Sequence, residues 1–197
     1  DAQQNLNSAT AVSSLFNYSA DDVTPLRQKP RLEARFATDA GMHVVQDAIM
    51  ACLQNVAGTP IDAVGPAFQP VPDLKSIDQG LLNPAFGTPQ VARHVPFGEK
   101  GDILLIATPA VRSCTVVVSQ MTDGKPLDWI LQSLNASNSP FKLDQAKSKQ
   151  TDKMISAVFA WEQAGRAPVN YIVSGPKDPT AYADMPQALA TVAFVKE

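Results

Sequence analysis

The chain has 197 residues, of which 45% are apolar and 18% are charged, and it carries a formal net charge of −3. A chain of this length and composition can bury a hydrophobic core. Its longest apolar runs, 103–107 and 115–118, are far shorter than the roughly 18 to 20 residues of a membrane span, so we expect no transmembrane segment. Both signs of charge are scattered, which argues against a basic surface for nucleic acid, and we expect no nucleic-acid partner.

Residues 1–30 are predicted to form a partly ordered N-terminal arm. They are rich in Gln, Asn, Ser and Asp and end in the extended dipeptides Thr24-Pro25 and Lys29-Pro30. Apolar and charged side chains then alternate over 32–36, a pattern that is typical of a half-buried strand. This strand opens the single α+β domain that we expect over 31–197.

Residues 39–57 carry the clearest helical pattern in the chain. Thr38 or Asp39 can cap the first turn, and Gly58 follows where many helices end on a left-handed glycine. The apolar residues that share one face of this helix are Met42, Val45, Ile49, Cys52, Leu53 and Val56.

The segment 59–101 is rich in proline and glycine, with seven prolines and five glycines that interrupt regular structure. We predict a helical turn within 74–82 and a strand over 91–95. A solvated linker would not carry so many apolar side chains, so we expect the segment to pack over the core and to offer a binding surface. The residues that we expect to contact a partner are its three phenylalanines and its histidine: Phe68, Phe86, His94 and Phe97.

The second half of the chain predicts more strands and one further helix. Two apolar runs, 102–108 and 113–121, predict an antiparallel hairpin. Pro126 suits the first turn of a helix, and a polar connection over 135–150 has room for a short element near 141–143. The remaining strands are predicted over 154–161, 169–174 and 188–196, and the last is apolar on both sides, which favours a place inside the sheet.

These elements together predict an α+β fold. We expect an antiparallel sheet of about five to six strands with two main helices packed on it, a proline-rich middle segment and an extended N-terminal arm.

Two cysteines, Cys52 in the predicted helix and Cys114 at the start of a predicted strand, are the chain's best chemical feature. A disulfide between them would tie the helix to the sheet, whereas two reduced thiols would be small buried hydrophobes. The even count and a first residue, Asp1, that is not methionine favour a protein that is periplasmic or secreted after removal of a signal peptide, although a trimmed chain would begin in the same way.

No local catalytic or cofactor motif is present in the sequence, and we expect no cofactor and no metal. The two histidines are His43 and His94. His43 lies nine residues from Cys52, on roughly the opposite side of the predicted helix, so a shared metal is not expected.

The leading functional hypothesis is a non-enzymatic, exported binding protein that holds a protein or small-molecule partner through 59–101 or the N-terminal arm. One alternative is a small hydrolase-like enzyme with a dispersed site around His94, because functional residues often lie on loops. Another alternative is a structural subunit whose apolar loops form an oligomer interface.

Overall fold

The computed structural model describes residues 42–61, 68–78, 88–97, 101–108, 112–119, 125–162, 164–165, 167–182 and 185–194. The predicted N-terminal arm, the predicted strand over 32–36 and the candidate caps Thr38 and Asp39 lie outside these residues. Within them, no helix is long and apolar enough to cross a bilayer.

The described residues form one antiparallel sheet with two α-helices, so the predicted α+β class is confirmed. The helices are α1 (Met42–Val56) and α2 (Pro126–Leu134). The strands are β1 (Gln69–Pro70), β2 (Val91–Phe97), β3 (Gly101–Thr108), β4 (Ser113–Ser119), β5 (Lys142–Leu143), β6 (Lys149–Gln150), β7 (Met154–Trp161), β8 (Val169–Pro176) and β9 (Ala188–Phe194).

The sheet has more strands than the five to six predicted. Its order is β1-β2-β3-β4-β9-β8-β7-β5, and β6 also pairs with β7, which makes nine strands in the described part of the chain. The prediction was too low because β1, β5 and β6 are only two residues long. A pair of residues is too short to show the alternating pattern by which a strand is read from sequence.

Both helices pack on one face of the sheet and form the main core there. The α1 helix lies over β3, β4 and β9, and α2 lies over β8 and β9. The predicted stripe of α1 is buried, and Val45, Ile49 and Cys52 are fully inaccessible to solvent. Burial of such side chains contributes about 1.5 to 3 kcal/mol each, so the amphipathic pattern explains why α1 forms and where it docks.

The C-terminal end of α1 confirms the glycine signal in the sequence. Gly58 has φ +114°, and its N–H donates to the Asn55 carbonyl at 2.9 Å. The Thr59 N–H donates to the Gln54 carbonyl at 2.9 Å. These two bonds form a Schellman motif, which satisfies carbonyls that the end of a helix otherwise leaves without partners.

The hairpin predicted for 102–108 and 113–121 is present, and the structure shows a second one. The β3 and β4 strands pair antiparallel, with Leu105 opposite Val116. The β7 and β8 strands do the same, and Gly165 in the turn between them has φ +72°. The β9 strand lies between β4 and β8, inside the sheet, as its two apolar sides predicted.

Residues 68–78 wrap around the outer edge of β2. The Phe68 ring belongs to the main core on the helix side, whereas Ile77 packs against Ala92 and other apolar residues on the opposite face. The Val71 N–H donates to the Ala92 carbonyl at 3.1 Å. The backbone N–H and C=O groups of the even-numbered residues of β2 therefore point away from β3, towards the edge of the sheet. Pro96 is one of them, and it has no N–H to offer to another strand, which protects this edge.

A tight turn covers the other edge of the sheet, which is the outer side of β7. The Asp144 N–H donates to the Val158 carbonyl at 2.8 Å, and the Val158 N–H donates to the Ser148 hydroxyl at 3.0 Å. Lys147 pairs with the Asp144 carboxylate at 2.9 Å, and its hydrogen bond lowers the pKa of that group. This turn between β5 and β6 occupies backbone groups that would otherwise be open to a second sheet.

Candidate functional site

Of the two states that the sequence left open for the cysteine pair, the structure shows the disulfide, which joins α1 to β4 in the centre of the main core. Cys52 and Cys114 are bonded, their Cα atoms are 5.2 Å apart, and both residues are fully buried. A buried disulfide is not accessible to an attacking thiolate, so its geometry favours a structural role over a redox centre.

Arg112 strengthens the same junction between helix and sheet. Its Nη2 and Nε atoms donate to the Val56 carbonyl at 2.8 and 3.1 Å. Its guanidinium also lies 3.9 Å from the centre of the Phe194 ring. A cation at the C-terminal end of a helix is favourable because the carbonyls there carry partial negative charge. Arg112 therefore fixes the end of α1 against β9 and acts as a structural residue.

His94 and Asp102 form a histidine–carboxylate pair. Its Nδ1 lies 3.3 Å from the Asp102 Oδ1, and the two side chains are 32% and 42% exposed. Both residues lie on the sheet face opposite the helices, in β2 and β3. A histidine oriented by a carboxylate supplies two of the three parts of a catalytic triad. Asp102 is the one side-chain partner that the described structure records for His94.

The other candidate binding residues lie in different environments. Phe68 is only 5% exposed and packs in the main core, so little of its ring can meet a partner. Phe97 ends β2, three residues after His94 on the same strand. Phe86 lies outside the described residues. A role in binding stays a prediction for each of them.

No metal centre is apparent in the part of the chain that the structure describes, where no group of three or more His, Cys, Asp or Glu converges. His43 lies on α1 with its Nδ1 3.3 Å from the Gln46 Oε1, a local helix contact. Cys52 cannot ligate a metal with it because its sulfur is already bonded to Cys114.

A groove of about 240 Å³ opens where the start of α2 meets the end of β8. We call it the α2 groove. Its base is apolar and its rim is charged. The residues that line it are Lys125, Pro126, Leu127, Asp128, Pro176, Lys177, Asp178, Pro179, Thr180 and Gln187.

A glycine allows the elements around this groove to meet. A Cβ added to Gly175 would lie 2.6 Å from the Gln187 carbonyl oxygen and 3.3 Å from the Leu127 Cδ2. Contacts under 3.0 Å to backbone essentially never occur, so another residue would push β8 away from these neighbours. Sequence reasoning missed the groove, although the dipeptides Lys125-Pro126 and Pro176-Lys177 mark its two sides.

The charges on the rim are not equivalent. The Asp178 carboxylate accepts from the Thr180 hydroxyl at 2.6 Å and the Thr180 N–H at 3.0 Å, and also from the Ala181 N–H. The Thr180 hydroxyl is the main cause that lowers the pKa of Asp178. In the described structure, by contrast, no ion pair engages the ammonium groups of Lys125 and Lys177.

Tyr171 carries an unusual buried polar group but belongs to the core. Among the residues that the structure describes, its hydroxyl has no hydrogen-bond partner, and burial raises its pKa well above the ordinary value. Its ring packs edge-on against Phe141, with centroids 5.5 Å apart. The Phe141 ring also meets Trp161, at 5.6 Å. These aromatic contacts favour a packing role, because edge-to-face pairs add stability beyond their buried area.

No protein-family model, curated protein or solved structure matches this chain.

Proposed function

We propose that this chain is a non-enzymatic binding protein of an oxidising compartment, either periplasmic or secreted. The observation that carries the proposal is the fully buried disulfide between Cys52 and Cys114. Structural disulfides persist outside the reducing cytosol, where thiol-reducing systems do not reach them. Because this bond joins the longest described helix to a central strand, we expect the folded state to be more stable where the bond stays oxidised.

The α2 groove supports the binding part of the proposal. Sites for small molecules are concave and mostly apolar, with a few charged groups that orient the ligand. The groove has this character, with buried Pro126, Leu127 and Pro176 at its base and two lysines at its rim. We therefore favour a small-molecule ligand there, while 59–101 and the N-terminal arm remain the surfaces proposed for a protein partner.

The compartment is tested by trapping thiols in the cells that naturally make the protein. Free thiols are alkylated before lysis, and the intact mass of the purified protein is measured with and without later reduction. We expect no alkylated cysteine before reduction and two after it. Two alkylated cysteines before reduction would contradict the oxidising compartment.

The binding function is tested with the full oxidised chain against a library of small acids, amines and neutral metabolites. We expect at least one compound to raise the melting temperature in a saturable way, since a ligand that binds only the folded state stabilises it. Protein partners are sought in parallel by crosslinking with the intact chain and with a version trimmed of the N-terminal arm. Failure of both searches would overturn the binding function.

A hydrolase remains the second candidate because His94 and Asp102 lie 3.3 Å apart. In such an enzyme the carboxylate would orient the imidazole, and the imidazole would activate a nucleophile as general base. The test is labelling with a fluorophosphonate together with an ester-hydrolysis assay. Labelling that is lost in His94→Ala and reduced in Asp102→Asn would support this candidate, and an unlabelled wild-type chain would count against a serine hydrolase.

A further inference from the structure

We propose that residues 26–36 dock on the outer face of α1, the side of this helix that points away from the sheet, and that an arginine of this segment pairs with the Asp47 carboxylate. The outer face consists of Val44, Asp47, Met50 and Ala51. The assignment goes beyond the proposed binding function and does not depend on it. Three features carry it: the burial of the outer face, the carboxylate within it and the charge of the chain that precedes α1.

The outer face lies opposite the side of α1 that packs on the sheet. Cys52 marks the sheet side, because its sulfur is bonded to a cysteine of β4. At about 100° per residue, Asp47 is turned about 140° from Cys52, and the other three residues of the outer face lie within about 60° of Asp47. Within the described residues, the strands on which α1 packs are β3, β4 and β9, and these strands lie on the Cys52 side.

The outer face is nevertheless buried. Val44 is fully inaccessible to solvent, and Asp47, Met50 and Ala51 are each at most 3% exposed. The structure contains a single chain, so the residues that cover this face belong to the same chain. A carboxylate is almost never buried unless it is paired. Arginine suits such a carboxylate best, because its planar guanidinium donates two parallel bonds to the two oxygens.

The chain just before α1 has the composition that this face requires. Its basic residues are Arg27, Lys29, Arg31 and Arg35, and its apolar residues include Leu26, Leu32 and Phe36. Glu33 is the one acidic residue of 26–36, so the segment carries a surplus of positive charge. By contrast, residues 1–25, 62–67 and 79–87, which also lie outside the described part of the chain, contain no lysine or arginine. Charge complementarity to Asp47 therefore favours 26–36.

The length of the segment also fits. Five residues, 37–41, separate it from Met42, where α1 begins. Fully extended, 26–36 can span up to about 36 Å, whereas the 15 residues of α1 rise by about 22 Å. After a reversal of direction over 37–41, the segment can run back along the whole helix and bring an arginine beside Asp47.

The first test is methyl NOE spectroscopy of the full, oxidised chain. We expect NOEs from the Phe36 ring or the Leu32 methyl groups to the methyl groups of Val44, Met50 or Ala51. A sample that mixes labelled and unlabelled molecules distinguishes contacts within one chain from contacts between two copies.

Urea denaturation then tests the ion pair. Asp47→Asn should lower the denaturation midpoint by about 1 M or more, because it leaves a buried cation without its counter-charge. One of the variants Arg27→Gln, Arg31→Gln and Arg35→Gln should have a similar effect, and combining it with Asp47→Asn should cost no more than either change alone. The matched control is Asp152→Asn, which neutralises an exposed carboxylate and should shift the midpoint by less than about 0.2 M.

Three results would overturn the assignment. They are NOEs that join the outer face to a different stretch of the chain, NOEs that arise between two copies, and additive effects of Asp47→Asn with every arginine variant. If Asp47→Asn does not fold, the NOEs of the wild-type chain decide. None of these results bears on the proposed binding function, which the ligand library and the crosslinking searches test separately.

Discussion

Reduction of the disulfide between Cys52 and Cys114 should remove a large part of the stability of this protein. The bond closes a loop between residues 62 positions apart in sequence. In the unfolded chain this closure restricts the conformations available to the segment between them. Reduction releases that restriction and so lowers the free energy of unfolding without deleting any side chain.

The expected magnitude follows from the loop length. The chain-entropy relation gives about 4 kcal/mol at 25 °C for a loop of this size. With a urea dependence of about 2.5 kcal/mol per molar, typical of a mid-sized domain, the denaturation midpoint should fall by about 1.5 M. Since both sulfur atoms lie in the core, replacing the pair by Cys52→Ala and Cys114→Ala should add a further cost for the cavity left behind.

The assay is urea denaturation, followed by circular dichroism, of the oxidised protein, the reduced protein and the double alanine variant. The variant serves as the control for the reductant itself, because its midpoint should not change when reductant is added. A midpoint that falls by less than about 0.4 M on complete reduction, equivalent to about 1 kcal/mol, would refute the loop-closure argument.

Four further substitutions test other parts of the structure, each by urea denaturation. Tyr171→Phe should stabilise the protein by about 1 kcal/mol, because it removes a buried hydroxyl that has no partner among the described residues; a loss of stability would contradict this reasoning. Arg112→Met should cost about 2 kcal/mol, since it deletes two bonds to the end of α1 and a contact with an aromatic ring, and Arg112→Lys should restore part of that loss. Gly175→Ala should cost about 1 to 3 kcal/mol because the added methyl meets a backbone carbonyl, and a neutral result would mean that β8 shifts freely. Asp178→Asn should be less stable than wild type at neutral pH. The folded-state pKa of Asp178 is lowered, so its contribution is present above the unfolded-state pKa and is lost as pH falls through the folded value. The gap between the two proteins should therefore narrow as the pH falls below the unfolded-state pKa of Asp, about 3.9, and a gap independent of pH would contradict this.

Much of the fold could be predicted from local pattern. The apolar stripe of α1, the left-handed Gly58 behind it and Pro126 at the start of α2 are signals within a few residues of each other. The hairpin of β3 and β4 joins neighbouring runs, so pairing follows from a short connection. The short ladders of β1, β5 and β6 could not be predicted, because a pair of residues has no period.

The candidate sites also differ in how far they could be predicted from local sequence pattern. The cysteine pair was apparent from the sequence because both residues lay in elements already placed in the core, but the bond itself depends on the packing that brings their Cα atoms to 5.2 Å. The pairing of His94 with Asp102 required the register of β2 against β3, which sequence alone does not specify. Phe68 resembled a binding residue in a loop-like segment, yet the segment turns around the edge of the sheet and buries its ring.

The sequence by itself determined which main helices and strands form and that one cysteine lies in each of two of them, because these features depend on spacing within one stretch of chain. Tertiary structure alone decided which side chains meet across long separations. The α2 groove combines residues near 125 with residues near 180, and Gly175 allows their backbones to approach. Such contacts depend on packing between elements, and no local pattern in the chain encodes them.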